Sequence, residues 1–434
     1  MSQMRGPAPA GSPGPVRRRG VPPAVRAWAE ALGAAVAGIV TMIVVAALGL
    51  WAAGAADLPG GAFPSVVAAT VLVAAGGTVG LSGDIGGLAQ AGATLDVVPL
   101  SVTLAGALVT ATLFLLPLRH RAVAATSELV ARIARTAVCW LVLLLLLTFA
   151  ARHSFRISVG NDLADQLGAE LGATPTVGFR ADVPATLGAG LLWILALLVL
   201  TFLVSRRAPL SPRLLRFQDS VRPPAFAMLL TLLCYVVIGL VIGIVELLTK
   251  DHPAETFAAL FLGLPNLAWM ALGIGTGGAW VGHVDKAIGL PLPHLLDQIL
   301  RTHGKRTLDL GSLTEHDGRA WLLVAVAAVV LLVAAFTAAV RSPARRPAWR
   351  HAVEMAVALA LTLLAVGLLT RISARYGLSL MGLGDLGGDL GGQITLEPQL
   401  LRLVGVGLAW GLVTGFLGSL PARRVRHPGE VQKP

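Results

Sequence analysis

Four histidines, His283, His294, His303 and His316, fall in one polar stretch with Asp285, Asp297, Asp309, Glu315 and Asp317. Imidazole and carboxylate are zinc and copper ligands, but such a site needs three or four of them converging at definite spacing. The stretch has no H-x-x-x-H pair, and neither Cys139 nor Cys234 is near it. It reads as a solvated loop. Two other polar stretches combine acid with glycine. Residues 152–184 hold Asp162, Asp165, Glu170 and Asp182, and residues 372–400 hold Asp385, Asp389 and Glu397. A calcium loop needs oxygen ligands at EF-hand spacing, and Gly384-Asp385-Leu386-Gly387-Gly388-Asp389 is only a faint version of one. No Walker A, G-x-S-x-G or H-E-x-x-H string occurs. The chain is therefore not expected to be an enzyme, and no catalytic residue, cofactor or metal site is assigned.

The elements between these stretches set the class. Hydrophobic residues make up 55% of the 434 and charged residues only 13%, with a mean hydropathy of +0.77. Soluble domains carry roughly 25% charged residues. Several apolar runs reach about 20 residues, enough to cross a hydrocarbon core of roughly 30 Å. The net charge of +11 does not imply nucleic acid, because the basic residues sit in short clusters between apolar runs. The partner implied is a lipid bilayer.

Eight runs read as full spans: 29–53, 98–117, 134–151, 185–204, 225–248, 320–340, 352–371 and 401–420. Residues 1–23, rich in Pro, Gly, Ala and Arg, read as a disordered tail rather than a signal peptide. A second short tail covers 421–434. The Arg clusters at 17–19, 119/121, 206–216, 345–346 and 423–424 fix the orientation. With all five on one side, that side holds 22 of the 34 Lys and Arg but only 5 of the 23 Asp and Glu. The positive-inside rule then puts both termini in the cytoplasm of a plasma-membrane protein.

Two further runs, 63–80 and 256–275, begin and end on the outer side in this topology. Each is a re-entrant segment or a helix lying at the outer surface. Glycine favours the re-entrant hairpin, because it permits tight turns and irregular backbone at membrane depth must be covered or line a wet cavity. The first run leads into Gly76-Gly77-Thr78-Val79-Gly80 and Ser82-Gly83-Asp84. The second contains Leu264-Pro265-Asn266 and ends in Gly273-Ile274-Gly275-Thr276-Gly277-Gly278. Gly77-Thr78 and Gly275-Thr276 occupy matching places. Gly76, Gly77, Thr78, Gly80, Asp84, Asn266, Gly275, Thr276 and Gly278 are the candidate tip or path-lining residues.

The chain also repeats itself. Gly188-Ala189-Gly190-Leu191-Leu192-Trp193 opens one span, and Gly405-Val406-Gly407-Leu408-Ala409-Trp410 opens another. The run after Val25-Arg26 is answered by one after Val221-Arg222. Two repeats are expected, 24–220 and 221–420, each with four spans and one extra segment. An even span number makes them parallel copies. Gly188, Gly190, Trp193, Gly405, Gly407 and Trp410 are expected to pack the halves together. The expected fold is an all-α integral membrane protein of about eight spans plus two re-entrant or half-helix segments.

With its Pro/Arg-rich inner tail, Ala/Gly/Leu/Val-heavy spans, paired Gly-x-Gly-x-x-Trp openings and glycine-rich hairpins, the chain resembles the streptophobe family, multi-span membrane proteins of high-GC actinobacteria. That resemblance implies a membrane fold and no particular activity. Two functions are open, of which the first is the favoured reading and the second its alternative. One is a transporter or channel-like protein whose paired glycine segments line a path. The other is a non-transporting scaffold or envelope-assembly protein that presents acidic outer loops to a partner. Wet tips would favour the first and dry tips the second.

Overall fold

The computed structural model describes residues 22–58, 61–85, 89–117, 126–156, 175–205, 212–249, 253–284, 306–342, 347–380 and 392–422. Its helices are α1 (Pro23–Ala52), α2 (Phe63–Ala74), α3 (Leu100–Leu115), α4 (Thr126–Ala150), α5 (Val183–Val204), α6 (Pro212–Thr249), α7 (Pro253–Gly275), α8 (Leu310–His316), α9 (Leu322–Arg341), α10 (Ala348–Leu369) and α11 (Leu400–Ala422). Eight of them, α1, α4, α5, α6, α7, α9, α10 and α11, are long and apolar enough to cross a membrane. The protein is a polytopic helical membrane protein. Leu192, Leu248, Leu361 and Leu401 stand exposed on these helices, as side chains facing hydrocarbon do. The eight differ from the sequence expectation at two places. The 98–117 run forms only the 16-residue α3, which starts after Pro99 and ends at Leu115. The 256–275 run forms the 23-residue α7.

Beside the dominant helices the described residues include a small sheet layer. Eight strands form one antiparallel sheet: β1 (Val79–Ile85), β2 (Ala89–Val97), β3 (His153–Arg156), β4 (Pro175–Ala181), β5 (Trp280–Val284), β6 (Arg306–Leu308), β7 (Ile372–Leu380) and β8 (Gly392–Pro398). Their order across the sheet is β3-β4-β1-β2-β7-β8-β5-β6. The stretches read as acidic loops, 152–184 and 372–400, supply four of these strands. Alternation of small and polar residues over so few positions is too weak a signal to stand out beside long apolar helices.

The sheet identifies one end of the helical bundle. β1-β2 join α2 to α3, β3-β4 join α4 to α5, β5-β6 join α7 to α8 and α9, and β7-β8 join α10 to α11. All those helix ends therefore lie together beneath the sheet. Helix α1 runs antiparallel to α3, with Gly38 against Thr110 and Gly106 against Met42, so α1 also ends there. Helix α2 then starts and finishes on the sheet side. At 12 residues it is about 18 Å long, too short to cross.

Helix α7 is also held at the sheet side, by contacts at several points along it. Gly49, near the end of α1, meets Phe261 and Leu262. Asn266 and Leu260 bond to Leu100 and Ser101 in the first turn of α3. Gly273 and Gly275 meet Leu403 and Leu323, at the starts of α11 and α9. Residues 260–275 thus lie along the sheet-side ends of four helices. Neither extra run is a hairpin. Each is a single helix that continues into a strand.

Two apolar cores fill the bundle. One joins Ile39 and Met42 of α1, Val71 and Leu72 of α2, Trp140 and Leu144 of α4, and Ile194 and Leu198 of α5. The other joins Trp269 and Leu272 of α7, Leu331 of α9, Met355, Leu359 and Leu363 of α10, and Leu403 of α11. Helices α10 and α11 approach closest. A Cβ on Gly407 would lie 2.8 Å from Ala360 Cα, one on Gly415 2.9 Å from Ala352 Cα, and one on Gly411 would strike Ala356 backbone. Small residues at four-residue spacing let two helices touch backbone to backbone, the main attraction left where lipid is as apolar as the side chains.

The same helix supplies its own control. Gly405 faces open space, with nothing within 4 Å of an added Cβ. Alanine gains about 1 kcal/mol of helix propensity at either site. Gly405→Ala is therefore expected to leave the thermal midpoint in detergent unchanged or raised. Gly411→Ala should lower it, by an overpacking cost of roughly 1–3 kcal/mol.

Candidate functional site

The candidate residues gather where α2 and α7 pass into the sheet. Both helices end in the same way. Gly76 has φ +88°; its N–H donates to Val73 O at 2.9 Å, and the Gly77 N–H donates to Leu72 O at 2.8 Å. Gly277 has φ +96°; its N–H donates to Ile274 O at 2.8 Å, and the Gly278 N–H donates to Gly273 O at 2.7 Å. This is the Schellman cap, in which a left-handed residue turns the chain and satisfies the last helical carbonyls. The structure therefore matches Gly76-Gly77 with Gly277-Gly278. The sequence pairing of Gly77-Thr78 with Gly275-Thr276 is out of step by three residues. Gly275 is instead the last residue of α7, where a Cβ would lie 2.6 Å from Leu323 O.

Packing closes the caps. A Cβ on Gly77 would meet Thr186 of α5 at 2.9 Å, and one on Gly278 would meet Gly273 O at 2.7 Å. Gly77, Gly275, Thr276 and Gly278 are buried; Gly76 and Thr78 are exposed. The Thr103 hydroxyl of α3 donates to Ala74 O at 2.7 Å. On the second cap, the Trp410 indole donates to Thr276 O and Arg402 Nε to Gly277 O, both at 2.9 Å. The Thr276 hydroxyl turns back to Gly273 O at 2.8 Å. Arg402 also reaches Asp309 at 3.5 Å, and Asp309 caps α8 through the Ser312 N–H at 3.0 Å. Both charges are partly exposed, so this pair contributes under about 1 kcal/mol. Its role is to aim Arg402.

Asn266, read as a candidate path residue, is a tie between distant parts of the chain. Its amide donates to Val98 O at 2.9 Å and accepts from Leu100 N–H at 3.1 Å. Beside it, Ser101 donates to Leu260 O at 2.9 Å and accepts from Leu264 N–H at 3.1 Å. Four hydrogen bonds thus join the start of α3 to the middle of α7, where Pro265 interrupts the helical ladder. Gly80 and Asp84 are strand positions on β1; Gly80 pairs with Thr94 and Arg180, and Asp84 with Gln90 and Thr176.

The Gly-x-Gly-x-x-Trp residues divide by position. Gly190 meets Leu144 of α4 and Gly407 meets Ala360 of α10, whereas Gly188 and Gly405 face open space. Trp193 stacks on Trp140 with ring centres 4.7 Å apart, while Trp410 clamps the cap. These contacts lie within each half of the chain, which corrects the expectation of packing between halves. Alanine and leucine in α4 and α10 decide the partner, a fact outside the motif itself.

Of the other candidates, Asp162, Asp165, Glu170, Asp285, Asp297, Asp385, Asp389, His294 and His303 lie outside the described residues. Asp182 caps α5 through the Ala185 N–H at 3.2 Å. Glu397 pairs with Arg371 at 2.9 Å, both exposed. His316 Nδ1 contacts Ser312 O at 2.9 Å. No group of three or more His, Cys, Asp or Glu side chains able to hold a metal occurs among the described residues. At the opposite end of the bundle, Glu30 of α1 bonds Arg26 and Arg132, each at 3.2 Å. Arg132 also donates to Phe114 O at 3.1 Å, tying α1, α3 and α4 together.

No family model, no curated protein and no solved structure matches the chain.

Asn266→Leu keeps the volume but leaves Val98 O and Leu100 N–H without that amide. An unsatisfied buried group costs about 1–3 kcal/mol, so a clear drop in the thermal midpoint is expected. Gly277→Ala forces a Cβ into the left-handed region at roughly 1–2 kcal/mol and should lower the midpoint as well.

Proposed function

We propose that this protein is a non-transporting membrane scaffold, whose helices hold one continuous sheet at the outer face of the plasma membrane for an envelope or protein partner. The observation that carries this reading is the sheet: four separate interhelical connections converge to build it. The transport reading depended on glycine tips lining a wet path. Gly77, Thr276 and Gly278 are instead buried helix caps, which favours the scaffold.

The same proposal includes the duplication, with copies at 24–220 and 221–420. Its support is the strand order, in which β3-β4-β1-β2 is followed by β7-β8-β5-β6. Registers agree too: Val79 pairs with Ala181, and Trp280 with Pro398. Orientation rests on charge. The ends of α3, α5 and α9 that precede the basic clusters at 119/121, 206–207 and 345–346 are the ends away from the sheet, which supports a sheet outside and termini in the cytoplasm. Streptophobe membership belongs to the proposal as well, on layout alone, and adds no activity to it.

Thiol labelling in intact cells tests it. With Cys139 and Cys234 replaced, single cysteines are placed along 74–84 and 273–283, with Thr94→Cys on the sheet as the outer reference. An impermeant reagent should label Thr94→Cys and Thr78→Cys and leave Gly77→Cys, Thr276→Cys and Gly278→Cys protected. Labelling deep in both caps would return the transport reading. Absence of labelling at Thr94→Cys would overturn the outer placement of the sheet.

A further inference from the structure

The internal joint of the sheet lies between β2 and β7, and its residues recur at the sheet's two ends. At the joint, Thr94 pairs with Arg375, Leu95 with Ala374, Asp96 with Ser373 and Val97 with Ile372. Strand β6 holds the place of β2: Trp280 pairs with Leu308 as Gly80, one residue on, pairs with Thr94. That alignment sets Thr307-Leu308-Asp309 on Thr94-Leu95-Asp96, identical at all three positions. Strand β3 holds the place of β7: His153 pairs with Phe179 and Ile372 with Leu396. It sets Arg152-His153-Ser154-Phe155-Arg156 on Arg371-Ile372-Ser373-Ala374-Arg375, so that Arg-x-Ser-x-Arg recurs. The alignment comes from strand registers alone, and the sequence identity is independent of it.

Among the described residues, β3 pairs only with β4 and β6 only with β5. Among the described residues both edges of the sheet are open, and they repeat the Thr-Leu-Asp and Arg-x-Ser-x-Arg that pair at its centre. They are also complementary in charge. At the joint, Asp96 and Arg375 fall on one face and diagonal to each other, a favourable cross-strand relation. Arg156 at the end of β3 and Asp309, which follows β6 and also caps α8 and reaches Arg402, hold the matching sequence positions.

We infer that β6 is a strand-accepting edge whose occupant is β3 of the same chain, closing the sheet into an eight-stranded barrel over the bundle. The expected register pairs Thr307 with Arg156 and Leu308 with Phe155. Eight strands suffice to close a barrel with its interior filled by side chains. Closure removes both open edges, which otherwise template aggregation. Two strands on one chain meet at a high effective concentration, so the same chain is favoured over a second copy. The inference rests on the duplication, but not on the scaffold role.

Cysteine cross-linking in native membranes tests it, in a background lacking Cys139 and Cys234. Thr307→Cys with Arg156→Cys probes the edges. Thr94→Cys with Arg375→Cys reports the central joint, and Thr307→Cys with His153→Cys is three residues out of register. Fold is checked by monodisperse elution before oxidation. The edge pair should cross-link within one chain, at a yield within about twofold of the joint pair, and the shifted pair should not. A cross-linked dimer would assign the edge to a second copy and overturn closure. An edge pair that stays reduced while the joint pair oxidises would overturn it too. Failure of the joint pair would remove the sheet register on which the inference stands. Each of these results leaves the thiol-labelling test of the scaffold independent.

Discussion

A backbone leaving a helix at the edge of hydrocarbon must give its last carbonyls a partner, because water is not on hand to serve them. Most of this protein's architecture follows from how α2 and α7 meet that demand. Gly76 and Gly277 turn the chain through the left-handed region and bond it back on itself. The turn releases each chain in extended form, and its backbone is then satisfied by a neighbouring strand. Helix caps and sheet are two parts of one hydrogen-bond account, carried by glycine where a side chain has no room.

Polar side chains add to that account at a few positions. Asn266 and Ser101 supply bonds where Pro265 breaks the ladder of α7. Trp410 and Arg402 bind the carbonyls of the second cap. At the first cap the Thr103 hydroxyl binds Ala74 O, and Trp193 stacks on Trp140 nearby. Two similar junctions are thus stabilised differently, one by a threonine hydroxyl with aromatic stacking and one by indole and guanidinium hydrogen bonds. Both are closed by packing.

Between the junctions, small residues decide how close helices come. Gly407, Gly411 and Gly415 bring α11 against α10, while Gly405 in the same helix touches nothing. Spacing alone singles out Gly405 and Gly407 together; only the neighbouring helix shows that one packs and the other faces outward. The Arg132 tie to Glu30 and Phe114 is similar. Each residue is visible in the sequence as a charge near a span end, but the partner comes from another helix.

By itself, the sequence determined the solvent. Composition and run length place these helices in a bilayer, because the cost of burying charge and the thickness of hydrocarbon act on any chain alike. It also marked where the extra runs end, since glycine clusters accompany tight turns. Tertiary structure alone decided that those runs are helices entering strands, that Asn266 caps α3, and that four polar connections form one sheet. Strand pairing is non-local: β2 meets β7 across 275 residues or more of chain, and short strands carry little periodic signal. The repeated Thr-Leu-Asp and Arg-x-Ser-x-Arg were present in the sequence throughout. They became legible as strand edges only when the registers showed what each one faces.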